Sequence, residues 1–535
     1  MSELPPLSSP SRLGRLYIWI PAGLVLVALG VLASQAREMV KALYLNADTA
    51  SAPVISSLMG GVGSHNAVTL GNYPWYESMW FMLATRSLPA HRVIWVAAPF
   101  VLTAAAVLII AWCTWRTVGF ASAWLVLVPL ACVSHGLREI FFTPNWHGAL
   151  VLHAAVLGAA LVVLNLRWPG MSVVQRWGFG VALALFTAAG ETDRLLLITS
   201  LVPFVGASLV LWWWSQTRLQ RQMFMFSAAT AMAAVIGGEV ATRAMRHAGV
   251  VSSPFHIRVD FSAFAQNGKL LVNGMSYLGG GYTLAGDRGI PVVASAVLML
   301  TACALVLLWV CVKAVSLARR TLSYDARCAA RSAHIIFWSL AIACTCGVFL
   351  FTTAPSDVLS ARYLTTAFVA VIVLLPIAAG SRLWSKGALT LGVAAYAVLS
   401  ISQLLSDGVG VYGTGPSQAL AGDVLHYVRE QGATQGYAEY QDAAVIAWET
   451  RLQVHAYPVE TCANTTSLCP FYLHTVASWY VPARRSRSFV ITDASPALIP
   501  VTTTPSSLGS PISHASFGYL TVWIYAGDVA SRLSW

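Results

Sequence analysis

Ionisable side chains are sparse in this 535-residue chain, which holds only 21 Asp and Glu. Along its apolar portion the candidates for chemistry fall at a few points. Asp48 lies in Tyr44-Leu-Asn-Ala-Asp48-Thr. Further on come Glu191-Thr-Asp193-Arg194, then His256-Ile-Arg258-Val-Asp260, then Pro355-Ser-Asp357 leading to Arg362-Tyr363. His65 and His147 stand in similar mixed stretches, with an aromatic cluster, Tyr73 to Phe81, close behind His65. A carboxylate can take the proton of a hydroxyl nucleophile, and a guanidinium can grip a phosphate through two parallel N–H bonds. Imidazoles at such points would orient a phosphate or sugar, and aromatic rings would suit sugar stacking or lipid contact. Other chemistries find no motif. Gly279-Gly-Gly281 is not followed by Lys-Ser/Thr, so it is no phosphate loop, and no nucleophile elbow or zinc-ligand spacing occurs.

The elements that must position these residues are membrane spans. Hydrophobic residues make up 57% of the chain and charged residues 10%, against about 25% charged in a soluble domain. The 20 Trp and 20 Phe suit a chain with many membrane–water interfaces. A span needs about 20 apolar residues. That rule predicts an α-helical polytopic protein with about 11 transmembrane helices, beginning near Leu16, Val93, Val118, Gly148, Trp177, Leu195, Met223, Pro291, His334, Leu364 and Ala388. With the N-terminus inside, short inner segments carry basic residues such as Arg116, Arg167, Arg218, Lys313, Arg327 and Arg382, while only Glu3 and Asp325 are acidic there. This is the positive-inside pattern. It accounts for the net charge of +11 without nucleic acid. The predicted setting is the plasma (inner) membrane, with a cytoplasmic N-terminus and an uncleaved first helix.

Two long outer loops follow from this count, 34–92 and 243–290. The transmembrane part spans 1–405. From 406 to 535 hydropathy falls, and helix–strand alternation predicts a small α/β domain outside the membrane. Strands are expected at Gly436–Tyr440, Val454–Pro458, Ser488–Asp493 and Tyr519–Tyr525, and helices at Ser417–Glu430 and at Asp442–Glu449, the latter capped by its Asp. Cys462 and Cys469 sit close together in this part and could pair outside the cell. Asn464-Thr-Thr466 matches a glycosylation sequon, a pattern too short to carry weight.

A carboxylate shortly after the first span, a long ordered-looking loop, and Arg362-Tyr363 opening a late span together resemble the GT-C superfamily of membrane glycosyltransferases, which use lipid-phosphate-linked sugars. That resemblance implies an inverting transferase moving a sugar from a polyprenyl-phosphate donor to an envelope glycan, lipid or protein. Asp48 would be its general base and Arg362, with Tyr363, a donor-phosphate ligand. Glu191, Asp193 and Arg194 would lie near donor or acceptor, with His65, His147, His256 and Arg258 as further binding candidates. The superfamily often shows an acidic pair where Asn46-Ala-Asp48 offers one carboxylate. No cofactor is required by this pattern, and a divalent metal is compatible with it. The same residues also have ordinary structural uses: Asp48 as cap of a helix from Thr49 to Met59, Arg362 reaching to the lipid interface, and Glu191 to Arg194 as a hairpin turn. A transporter or flippase of lipid-linked sugars, or a catalytically silent assembly protein, would share the span pattern. Transporters, however, place polar groups in broken helices at mid-membrane in repeated halves, and no halves repeat here.

Overall fold

The computed structural model describes residues 12–58, 67–70, 88–142, 148–190, 193–215, 217–252, 257–281, 289–321, 325–380, 383–406, 415–462, 467–482, 487–494 and 506–534. In chain order the membrane part comprises α1 (Arg12–Leu43), α2 (Ala47–Leu58), β1 (Val68–Leu70), α3 (Leu88–Thr117), α4 (Phe120–Ala131), α5 (His135–Phe142), α6 (Ala149–Arg167) and α7 (Val173–Ala188). It continues with α8 (Arg194–Ser215), α9 (Arg218–His247), β2 (Val250–Ser252), α10 (Phe264–Leu278), α11 (Ile290–Ala318), α12 (Ala326–Phe351), α13 (Val358–Ala378) and α14 (Leu383–Ser406). The protein is a multi-pass membrane protein. Among the described residues nine helices are long and apolar enough to cross a bilayer.

All eleven predicted spans fall on helices, with two departures in shape. The third is broken: α4 and α5 meet at 88° around Cys132–Ser134. Ser134 explains the break, because its Oγ takes the N–H of Leu137 at 3.2 Å and starts a new helix in a new direction. The fifth, α7, has only 16 residues. The first helix also runs ten residues past the predicted Ala33, to Leu43, so the first long loop begins only at Tyr44.

Packing separates lipid-facing from central helices. Trp19, Val174 and Trp384 are 70%, 80% and 91% exposed, which an apolar solvent tolerates and water would not. The final 14 residues of α13 are buried on nearly every face, as expected of a helix apolar all round at the bundle centre. Segments predicted on one side of the membrane meet one another. β1 from the first long loop pairs with β2 from the second and with β6 (Thr475–Val476) of the C-terminal part. At the other end, Arg327 Nε donates to the carbonyl of Arg116 at 3.1 Å.

Residues beyond 415 form α15 (Gln418–Glu430), β3 (Gln435–Ala438), α16 (Tyr440–Glu449), β4 (His455–Thr461), β5 (Leu468–Pro470), the β6 already named, β7 (Arg487–Asp493), β8 (Ser513–Phe517) and β9 (Leu520–Ala526). The sheet order is β5-β4-β3-β7-β9-β8, with β4, β3 and β7 parallel. Strand β9 shows why it forms. Leu520, Val522 and Ile524 enter one core while Tyr525 and Trp523 pack on the other face, the period-two pattern of a strand. Cys462 and Cys469 are joined by a disulfide across the β4–β5 hairpin. Helix α16 begins two residues earlier than predicted, and its cap is Glu439, which accepts from Gln441 N at 2.7 Å, rather than Asp442.

Candidate functional site

Asp48 lies in the first turn of α2, and it does not cap that helix. Asn46 does so: its Oδ1 accepts the N–H of Asp48 at 2.8 Å, and its carbonyl takes the N–H of Thr49 and Ala50. The capping load falls on Asn46, leaving the half-buried Asp48 carboxylate for another partner. That partner is Tyr440, the first residue of α16, whose Oη donates to Asp48 Oδ1 at 2.9 Å and also reaches Ser51 Oγ at 3.4 Å. The Tyr440 ring is stacked between Phe471, at 4.8 Å, and His474, at 5.8 Å. Burial drives the His474 imidazole toward its neutral form, and the Asp48 charge opposes that. Two more contacts lock α16 to this corner: Gln441 Oε1 accepts the N–H of Ala47 at 3.0 Å, and Trp448 stacks on Tyr44 at 4.2 Å.

A second carboxylate senses the Asp48 charge. Glu139 sits on the short arm α5, outside the nine long apolar helices, and accepts from Tyr277 Oη at 2.9 Å. The charges of Asp48 and Arg362 both act on Glu139. Glycine makes the approach physically open. A Cβ on Gly136 would meet the Tyr277 carbonyl at 2.6 Å and its ring at 2.8 Å. A Cβ on Gly274 would meet Leu364 at 2.9 Å and Ala361 at 3.2 Å. Through these two glycines α10 lies against both the Glu139 arm and the Arg362 turn.

Arg362 stands in the 3₁₀ turn Val358–Leu364, which Asp357 and Ser360 open with a reciprocal capping box. Its Nη2 donates to Tyr363 Oη at 3.2 Å, and the guanidinium lies 5.1 Å from the Tyr363 ring centre. Asp193 caps α8, accepting from Leu195 N at 2.8 Å. Burial pushes its carboxyl up to about 6 against the N–H groups of Leu195 and Leu196. Leu195 and Leu196 pack in one cluster with Tyr363, so this turn borders the Arg362 element. Arg194 is exposed. Arg258 is exposed too; its backbone exchanges hydrogen bonds with Thr353, and Asp260 caps the turn at Ser262. Both are fixed to the end of α12. Glu191, His65, His147 and His256 lie outside the described residues, as do the Tyr73–Phe81 cluster and Asn464.

Sequence reasoning missed Glu139, Tyr277, Tyr440 and His474. The signal available for Glu139 was a charged pair, Arg138-Glu139, inside an otherwise apolar run. The others are joined to their partners only by the tertiary fold.

An apolar groove of about 800 Å³ runs between α11, α13 and α14, lined by Leu298, Leu305, Trp309, Val371, Leu389 and Tyr396 among others; Asp48, Glu139 and Arg362 do not line it. Met299 in its lining would touch a Cβ on Gly279, two residues after Tyr277. Lys313, one of the predicted inner basic residues, lines it too. Among the described residues no three His, Cys, Asp or Glu side chains converge to hold a metal ion.

No protein-family model matches the chain, and no curated protein matches it. Solved structures similar to it include the following two. The archaeal oligosaccharyltransferase AglB from Archaeoglobus fulgidus, in complex with an inhibitory peptide and a dolichol-phosphate, aligns at 12% identity and a TM-score of 0.40. That alignment covers 83% of this chain and 65% of AglB, so the chain spans about two thirds of the relative's length. The Archaeoglobus fulgidus oligosaccharyltransferase in complex with Zn and sulfate aligns at 12% identity and a TM-score of 0.43, over 95% of this chain and 73% of the other.

Proposed function

We propose that this protein is an inverting, GT-C-type membrane glycosyltransferase that moves a sugar from a polyprenyl-phosphate donor to an envelope acceptor. What supports the reading is that the charges of Asp48 and Arg362 both act on Glu139, while an apolar groove of about 800 Å³ runs along α13, the helix that Arg362 opens. Asp48 takes the proton of the acceptor hydroxyl as its oxygen bonds to the anomeric carbon. The bond from that carbon to the donor phosphate oxygen breaks in the same displacement, so the configuration inverts. The prenyl phosphate leaves with the bonding pair, and Arg362 neutralises it. Glu139, held by Tyr277, orients Arg362 and supplies the second carboxylate that the sequence around Asp48 lacks. Asp193 and Arg194 border the donor side. The reading places the N-terminus in the cytoplasm, and the site and residues 406–535 outside the plasma membrane, facing a glycan, lipid or protein acceptor.

The test is transfer by the purified protein. It is offered labelled polyprenyl-phosphate sugars in detergent, with envelope extract as acceptor, and in parallel is reconstituted in vesicles for donor flipping. Label entering an acceptor supports the enzyme. Flipping without transfer from any donor overturns it.

A further inference from the structure

Helix α10, with the 3₁₀ turn Phe261–Ala263 that leads into it, carries three kinds of surface. Asn267, Gly274 and Leu278 are buried against the bundle. Ser262, Gln266, Lys269 and Asn273 are polar and exposed. Phe261, Phe264 and Val272 are apolar and exposed, at 73%, 49% and 47%. At about 100° per residue these sets fall on three separate stripes of one helix. A helix between a protein core and water has two faces, one apolar and inward and one polar and outward. The third stripe here, apolar and outward, calls for an apolar neighbour.

Both ends of α10 are tied to the ends of membrane helices, on the side of the bundle that holds Arg362. At its start, Phe261 and Phe264 pack on Phe351, the last residue of α12, at 5.6 and 5.4 Å. Asn267 Nδ2 donates to the carbonyls of Leu350 and Thr352 at 3.3 and 2.9 Å, and the N–H of Asp260 donates to the carbonyl of Phe351 at 2.8 Å. At its finish, Ser134 Oγ, just past α4, donates to the carbonyl of Leu278. Gln403 Nε2, near the end of α14, donates to the carbonyl of Gly280 at 2.9 Å. The 15 residues of α10, about 22 Å in length, therefore run along this end of the bundle and not through it. The apolar stripe is continuous with Phe351, which is itself 37% exposed at the end of a membrane-crossing helix. What bounds that helix bounds the stripe, and that neighbour is lipid.

Two exposed cations flank the stripe. Lys269 stands on the polar side next to it, and Arg258 precedes the turn beside the exposed Val259. Asp260, between Arg258 and the helix, is engaged by the N–H of Ser262 at 2.9 Å and by the Ser262 hydroxyl. We propose that α10 is an interfacial helix lying on the bilayer at the site end of the protein. Phe261, Phe264 and Val272 enter the boundary between headgroups and acyl chains, and Lys269 and Arg258 meet the headgroups of anionic phospholipid. The same helix carries Tyr277, which donates to Glu139, and Gly274, which packs on the Arg362 turn. Lipid at α10 thus acts on the helix that positions both groups. That consequence rests on the proposed function; the lipid contact does not.

The test uses the full chain in vesicles without sugar donor, so a failure of the glycosyltransferase reading leaves its outcome intact. The photoreactive p-benzoylphenylalanine is placed singly at Phe264, Val272 or Gln266, all exposed, and at Trp384 as a lipid-facing reference. After irradiation in phosphatidylcholine–phosphatidylglycerol vesicles, lipid adducts are read by intact mass. Positions 264 and 272 are expected to label as position 384 does, and position 266 at least about fivefold less. Equal labelling at 264 and 266 overturns the proposal, as does labelling at 384 alone. Crosslinks from 264 and 272 into another part of the chain or a second copy also overturn it, because protein would then cover the stripe. Hydrogen exchange in α10 reads the headgroup contact. Replacing phosphatidylcholine vesicles by phosphatidylglycerol-containing ones is expected to slow exchange in wild type and not in Arg258→Gln with Lys269→Gln, and inorganic phosphate is expected not to substitute for the lipid. Equal exchange of wild type in the two lipids, an undiminished effect in the double variant, or the same slowing by inorganic phosphate overturns the anionic headgroup contact.

Discussion

Replacing Tyr440 by Phe removes one atom from the candidate site and leaves its surroundings in place. The ring keeps its stacking on Phe471 at 4.8 Å and on His474 at 5.8 Å, so α16 should stay seated. What disappears is the hydroxyl that donates to Asp48 Oδ1 at 2.9 Å. A hydrogen bond to a charged group contributes about 1.5–3 kcal/mol, and the half-exposed position of Asp48 favours the lower part of that range. About 1.5–2 kcal/mol of lost positioning corresponds to a ten- to thirtyfold fall in kcat/KM. The loss should sit in kcat, since Tyr440 bonds the proposed base and does not line the groove. Steady-state transfer from a labelled prenyl-phosphate sugar measures it, with a melting curve to show that the fold is kept. A folded Tyr440→Phe protein with wild-type kcat would refute the reasoning that the C-terminal domain orients the base.

Three further outcomes follow from the same geometry. Arg362→Lys keeps the charge but loses the bidentate fork, so the donor KM should rise about tenfold with a smaller change in kcat, read from donor titrations. Gly392→Phe projects into the groove from a position with nothing within 4 Å of a Cβ; the protein should fold, lose activity on long-chain donors and keep it on short-chain ones. Removing the Cys462–Cys469 disulfide, whose cysteines are 7 residues apart, should lower stability by about 2 kcal/mol on loop-entropy grounds, seen as a drop in melting temperature of Cys462→Ser with Cys469→Ser.

What the sequence disclosed, and what it hid, follows from the range of the interactions involved. Span positions depend on local hydropathy, so every apolar stretch from Leu16 to Ala388 fell on a helix. The bend at Cys132–Ser134 was hidden because hydropathy is continuous across it, and only the Ser134 cap marks the break. The extension of α1 to Leu43 was hidden for the opposite reason. Its last turns carry Arg37, Glu38 and Lys41, which read as loop but form a helical ion pair, Lys41 to Glu38 at 2.8 Å. Asp48 was visible as an isolated carboxylate, yet Asn46 took the capping role, because the helix starts at Ala47 and puts Asp48 inside its first turn, where its own N–H is taken by Asn46 Oδ1. Glu139 showed in the sequence only as half of the Arg138-Glu139 pair, and Tyr440 not at all as a site residue. Tyr277 is 138 residues from Glu139 and Asp48 is 392 from Tyr440, and no local pattern encodes contacts of that span.

The most direct measurement concerns Asp48 itself. Wild type and Asp48→Asn are purified, donor binding is measured for each, and single-turnover transfer from a labelled polyprenyl-phosphate sugar is followed. The account predicts that the variant folds and binds donor as wild type does, with transfer reduced by about two or more orders of magnitude, the loss expected when a general base is removed. Transfer at the wild-type rate in Asp48→Asn would contradict it and move the base to another carboxylate.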